Sequence, residues 1–270
     1  EGSTLEFTRS FSGIRSYVAV FGGFDVPLIL GSRSTYRRSA LGGFEGRALS
    51  VGDRLGSTIL HQDDTLSAYR LPVSMIPSYS SCLEVRVILG PQNNSFTSDG
   101  MKVFLSSTYT ISDEADRTGY RLSGPKIEHI SGADIISDGN PLGAIQVAGD
   151  GMPIILLADR GTTGGYTKIA TIISVDIPKL AQAGPGDQVT FIPVELKQAH
   201  QLLKERENVL DGICETDLIF YARRRFCLNV GGDNREILTS FFEVNRPTET
   251  GANPLGFKIS LNGKFYEVQI

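Results

Sequence analysis

The sequence predicts a mainly β chain, built from two related β units with a few short helices. Three observations carry that expectation. The first is a pair of short apolar runs, PIILLA (153–158) and KIATIIS (168–174), rich in β-branched residues. They are too short for a membrane span and too continuous for half-exposed strands, so both read as buried strands. The second is internal repetition. YVAVFGGFDVP (17–27) and KIATIISVDIP (168–178) share an apolar–Asp–apolar–Pro close, and VGDRL (51–55) echoes PGDQV (185–189). The extra length of the first copy is essentially a glycine-rich loop over residues 31–47. The third is how little of the chain has helical spacing. Residues 193–207 do, placing Val194, Leu196, Ala199, Leu202 and Leu203 mostly on one side.

Taken in order, residues 5–20 alternate toward a strand that Gly22, Gly23 and Pro27 break. After the loop at 31–47, Gly52-Asp53 reads as a turn into a strand. Residues 72–81 form a linker by composition, with two prolines and several serines. Residues 84–89 alternate as a strand. Residues 97–105 fit a short helix capped by Thr97 or Ser98. Strands return at Tyr109, at 120–122 and at 134–136. Asp138-Gly139-Asn140-Pro141 is a turn signal, followed by a strand over 142–147. Between the two apolar runs lies a polar loop, where Asp159, Arg160, Thr162, Thr163 and Lys168 gather around Gly164-Gly165. Those glycines let backbone approach something closely or take positive φ. Polar groups on a short loop held by buried strands are a common way to build a small-molecule site.

Composition narrows the function classes. Hydrophobic content of 40% and charged content of 21% over 270 residues are those of a globular chain with a real core. A net charge of −4 gives no basic field for nucleic acid, and the clusters Arg37-Arg38 and 223–225 are too short to change that. Cys82, Cys214 and Cys227 are odd in number and widely spaced, and His61, His129 and His200 are scattered. This argues against a disulfide framework or a metal site and for a reducing, cytoplasmic compartment. No signal peptide or spanning segment is evident, and the first residue is Glu, as in a processed or excised piece.

One set of motifs in order resembles a known family: GSRST (31–35), LGGFEGR (41–47), SDG (137–139) with PLGAIQ (141–146), and ADR (158–160) with TTGGY (162–166) and KIA (168–170). The match, over roughly residues 5–205, is to the allophanate hydrolase subunit 2 family. That family includes the C component of 5-oxoprolinase and the carboxyltransferase region of urea carboxylases. The resemblance implies two cyclophilin-like β-barrel units. The first, over residues 1–75, is incomplete and expected to be finished by a strand-rich section from elsewhere. The second covers 82–205, with a linker or extension over 206–255. Residues 256–270 form two alternating strands around Asn262-Gly263, a hairpin turn pair. They are similar to the opening strands of a biotinyl carrier lobe, although no acceptor lysine motif follows.

The same resemblance implies a component of a biotin- or ATP-dependent system acting on an amide, urea or lactam nitrogen. Carboxybiotin would come from a carrier domain elsewhere, ATP would be used by a partner domain, and nothing would be bound covalently in this chain. The expected partners are a companion chain, of the allophanate hydrolase subunit 1 type or like the B component of 5-oxoprolinase, and a small nitrogenous substrate. Biotin carboxylase and biotin carrier domains are expected on the urea carboxylase side. Neither nucleic acid nor a membrane is expected. Carboxyl transfer to nitrogen requires an anionic carboxylate to be held, negative charge on a ureido oxygen to be stabilised, and a proton to leave the acceptor. Lys168, Asp159, Asp138 and Arg33 are the catalytic candidates. Gly31, Ser34, Thr35, Gly139, Gln146, Arg160, Thr163, Gly164, Gly165 and Tyr166 are the binding candidates, so that two loops from two units would form the site. Plainer readings stay open. Asp159–Arg160 also fits a loop salt bridge or turn cap, Gln146 a satisfier of buried backbone, and Asp138-Gly139 a simple turn. The rival class is a regulatory module that binds a partner subunit or a kinase inhibitor without turnover.

Overall fold

A computed structural model describes residues 12–20, 22–57, 66–71 and 75–215, together with the strands named below between 219 and 269; side chains are described outside 66–70 and up to residue 213. In chain order the strands are β1 (Leu66–Arg70), β2 (Cys82–Leu89), β3 (Tyr109–Ile111), β4 (Gly119–Ser123), β5 (Asp134–Gly139), β6 (Ala144–Val147), β7 (Pro153–Leu156), β8 (Thr163–Tyr166), β9 (Lys168–Ile172) and β10 (Gln188–Pro193). Six follow: β11 (Ile219–Arg223), β12 (Arg225–Val230), β13 (Asp233–Leu238), β14 (Glu243–Val244), β15 (Gly256–Leu261) and β16 (Lys264–Gln269). The helices are α1 (Ser98–Ser106), α2 (Ile177–Leu180) and α3 (Leu196–Glu215). The chain divides into two compact units, Glu1–Arg15 with Pro72–Asp217 and Ser16–Leu71 with Leu218–Ile270.

The first unit is a closed barrel of seven strands in the order β10-β2-β9-β6-β7-β4-β3. Its pairings are antiparallel except β2 with β10, which run parallel. The alternation in β2 seats Leu83, Val85 and Val87 in the core, where they are nearly or fully buried. β6, β7 and β9 are buried almost throughout, as continuous β-branched runs require. Phe104 of α1 stacks on Phe191 of β10 with ring centroids 4.6 Å apart, and Tyr109 tilts against the same ring. α1 starts where its chemistry dictates: the Thr97 hydroxyl accepts the Gly100 N–H at 2.9 Å.

The second unit pairs β1, β11 and β14 in one small sheet, β12 with β13, and β15 with β16. The last pair has the two-strand form expected of 256–270; the Asn262-Gly263 turn itself lies outside the described residues.

Three local expectations are corrected. Of the strand over 5–20, residues 1–11 lie outside the described residues, and 12–20 carry no strand. Tyr17 there is 92% exposed, with no ladder to satisfy the backbone. Gly52-Asp53 does form the expected turn, the Asp53 N–H donating to the Ser50 carbonyl and its carboxylate accepting the Ser50 N–H; beyond it residues 53–57 hold one isolated bridge, Phe24 with Ser57, and 58–65 lie outside the described residues. Asp138-Gly139 is the end of β5 rather than a turn, and the reversal comes later, where Gly143 takes φ +83. The helix expected from Pro193 begins at Leu196, because Val194 still donates to the Val87 carbonyl and prolongs the sheet.

Candidate functional site

The site is built where β9 begins. β6 and β9 pair regularly at Ala144–Thr171 and Ile145–Ala170, then skip to Gln146–Lys168. Ile169 is therefore one extra residue, a β-bulge that breaks the strict alternation of the strand. Lys168 and Ile169 are both buried, at 1% and 0% exposure. The polar stretch between the two apolar runs is not a simple loop. Its TGGY segment is β8, paired with β5 so that Asp138 faces Gly164 and Gly139 faces Thr163. This brings Asp138, read from sequence as a turn residue, beside Lys168.

Lys168 Nζ lies 3.2 Å from Asp138 Oδ2, in an ion pair between a buried ammonium and a carboxylate 53% exposed. Beyond that ion pair the Nζ has no hydrogen-bond partner among the described residues. The Asp138 carboxyl is held below the usual carboxylate range, first by the Gly139 N–H it accepts at 2.7 Å and then by Lys168. Gln92 closes the other side. Its Oε1 accepts the Lys168 N–H at 3.1 Å, and its Nε2 points to Asp138 Oδ2 at 3.4 Å.

A second polar layer adjoins this one. Gln146 Nε2 donates to Asn140 Oδ1 at 3.2 Å and, at 3.5 Å, to the Tyr166 carbonyl. Asn140 Nδ2 donates to the Gly161 carbonyl, and the Asn140 carbonyl accepts Arg160 Nε at 2.8 Å. Gly164 runs directly over these amides: a Cβ there would sit 2.7 Å from Asn140 Nδ2 and 2.8 Å from Gln146 Nε2. Of the two glycine roles the sequence left open, close approach is the one Gly164 fills; neither Gly164 nor Gly165 has positive φ. Asp159 pairs with Arg117 at 3.0 Å rather than with its neighbour Arg160.

Arg33, Gly31, Ser34 and Thr35 belong to the other compact unit. There Leu30 (φ 50) and Gly31 (φ 78) form a tight two-residue turn closed by Ile29 and Ser32. Arg33 Nη1 donates to the Val26 carbonyl. Gly43 takes φ +57, and a Cβ there would overlap the Thr35 hydroxyl at 1.8 Å. Gln92, Asn140 and Arg117 were not singled out from sequence. Gln92 had one signal available, its place just after the Gly90-Pro91 break that ends β2. Among the described residues no group of three or more His, Cys, Asp or Glu is placed to hold a metal ion.

The family described as carboxyltransferase domain, subdomain A and B, matches residues 1–193. The chain belongs to that carboxyltransferase-domain family. It is 35% identical over 209 residues to the C component of 5-oxoprolinase from Escherichia coli, a match covering 77% of this chain and 64% of the relative. It is 32% identical over 230 residues to urea amidolyase of Saccharomyces cerevisiae, covering 78% of this chain and 12% of that one. Among solved structures, the urea carboxylase of Kluyveromyces lactis superposes with a TM-score of 0.62 at 25% identity, over 88% of this chain and 22% of that one. The match thus spans just under two thirds of the 5-oxoprolinase relative and a small part of the larger proteins. Among the described residues, no helix of this carboxyltransferase-domain chain is long and apolar enough to cross a membrane.

Proposed function

We propose that the chain is the carboxyltransferase-type component of a biotin- or ATP-dependent system of the urea carboxylase, allophanate hydrolase or 5-oxoprolinase kind, acting on an amide, urea or lactam nitrogen. One observation above all supports this: on a chain of that family, the Lys168 ammonium is buried and, among the described residues, is met only by one half-exposed carboxylate. Buried donors in folded proteins are normally satisfied. An ammonium left with open donors is therefore suited to an incoming anionic oxygen.

By that measure the residues fit carboxylated biotin, with Lys168 as the group that would hold its carboxylate or ureido oxygen. When bound, carboxylated biotin supplies the carboxyl group to be transferred. Lys168 places fixed positive charge where negative charge develops, in a dry setting where it acts more strongly than in water. Asp138, with its depressed pKa, is ionised at neutral pH and a weak base, so it orients an acceptor N–H by accepting its hydrogen bond. Asp159 and Arg160 brace the β7–β8 connection through Arg117 and Asn140. Arg33 with Gly31, Ser34 and Thr35, in the other unit, is proposed by itself as an anion contact.

The test uses the complete assembly with its companion chains. Lys168→Ala and Arg33→Ala should each lower turnover on urea, guanidine or 5-oxoproline by about a hundredfold, the usual effect of removing one charge-stabilising donor. Full activity in both variants would show that the site is elsewhere. Biotin-dependent consumption of bicarbonate marks the carboxylase type, and cleavage of 5-oxoproline without biotin marks the other.

A further inference from the structure

We propose that Gln92 is a positioning residue for the Lys168–Asp138 pair: its single amide group fixes the Lys168 backbone through Oε1 and the Asp138 carboxylate through Nε2. The proposal rests on the reading of Lys168 and Asp138 as the reacting-site pair. Gln92 comes 76 residues before Lys168, on the segment that leaves β2. That segment stays zipped to β9 beyond the last paired residue of the strand: the Gly90 N–H donates to the Ile169 carbonyl and the Gln92 N–H to the Lys168 carbonyl at 3.0 Å. Gln92 thus grips both backbone polar groups of Lys168, one with its own main chain and one with its side chain.

The amide can sit only one way round. Reversed, it would set an NH2 against the Lys168 N–H and a carbonyl oxygen against a carboxylate, losing both contacts and adding repulsion. In the orientation that satisfies both, a neutral side chain links the residue carrying the buried cation to the half-exposed anion. Among the described residues the ion pair of Asp138 is with Lys168, so Lys168 and Gln92 are the two side chains that set its charge environment. A bulged strand start needs such a hold. Ile169 interrupts the β6 ladder there, and the Gln92 contacts supply the bonds on the opposite edge.

Two variants in the complete assembly test this, with turnover on the system's substrate and carbon-13 carboxyl NMR titration of Asp138 as readouts. Both should fold, because Gln92 is only partly buried and its main-chain bond to Lys168 survives any substitution of the side chain. Gln92→Leu removes both contacts and should lower kcat about tenfold or more with a smaller change in KM, as expected when reacting groups drift out of line. Gln92→Glu keeps an acceptor for the Lys168 N–H but sets a second carboxylate against Asp138. It should raise the pH at which Asp138 titrates and move the acidic limb of the rate profile upward. A glutamine that merely completes the barrel would leave the Asp138 titration unmoved in both variants, and that result, or an unchanged kcat in both, overturns the proposal. Asp138→Asn separates the two levels. If it retains full turnover, the reading of the pair falls and the proposal falls with it; if it abolishes turnover while both Gln92 variants behave as wild type, only the role of Gln92 falls.

Discussion

Replacing Lys168 with methionine should stabilise the barrel and, on the proposed function, abolish turnover by the complete assembly. The ammonium is 1% exposed, and among the described residues its sole partner is an ion pair to a carboxylate that is half in solvent, which leaves donors open. The attraction across 3.2 Å lies between about 1 kcal/mol at the dielectric of water and about 5 kcal/mol at an effective dielectric near 20, and the exposure of Asp138 pulls it toward the lower end. Opposing it, a buried ion with unmet donors carries a desolvation penalty of several kcal/mol. Methionine keeps most of the volume and the flexible stem without the charge. Asp138 loses a partner yet stays hydrated and keeps the Gly139 N–H. The net expectation is a gain of about 1–3 kcal/mol, read as a rise of about 2–10 °C in the melting of the first unit. Thermal and urea unfolding of Lys168→Met and wild type side by side, with turnover measured on the same samples, checks both halves. A lower melting point with an unchanged urea m-value would refute the reasoning, because it would make Lys168 a satisfied structural lysine.

Two further outcomes follow from the same geometry. Gly164→Ala places a methyl group within 2.8 Å of the Asn140 and Gln146 amides, which are themselves 7% and 6% exposed and have little room to move. A loss of about 1–3 kcal/mol in urea unfolding is expected, with weakened activity in the assembly. Asp176, 4% exposed, accepts the Arg86 N–H, Nε and Nη2. Asp176→Ala leaves a partly buried guanidinium unpaired and should cost about 2–4 kcal/mol in the same assay, where a cost below about 0.5 kcal/mol would show the pair to be idle.

What the sequence revealed follows how local each determinant is. The Thr97 cap, the alternation of β2 and the two apolar runs that become β7 and β9 are settled within a few residues, and all were legible. β8 was hidden because TTGGY has no apolar pattern and carries two glycines; its order comes from β5, about thirty residues away, and not from its own propensity. The same distance hid the nearness of Asp138 to Lys168, although each was picked separately as a candidate. Gln92 and Asn140 act through bonds to remote backbone, which no spacing rule encodes. Tyr17 shows the converse failure: its stretch alternates like a strand, yet residues 12–20 carry no strand and Tyr17 is exposed.

The extra residue at Ile169 separates two tasks that a regular strand would lock together. From Ala170 onward the phase of β9 is dictated by packing inside the barrel, while at Lys168 it is dictated by the polar cluster, and the bulge absorbs the difference between them. Core substitutions beyond Ala170 can therefore accumulate without rotating the lysine. Deleting the single residue Ile169 would make the β6 ladder unbroken with Lys168 still opposite Gln146, but would remove the carbonyl that accepts the Gly90 N–H on the other edge. In this barrel one inserted residue works as a phase coupling, leaving the interior free to change while the charged group keeps its direction.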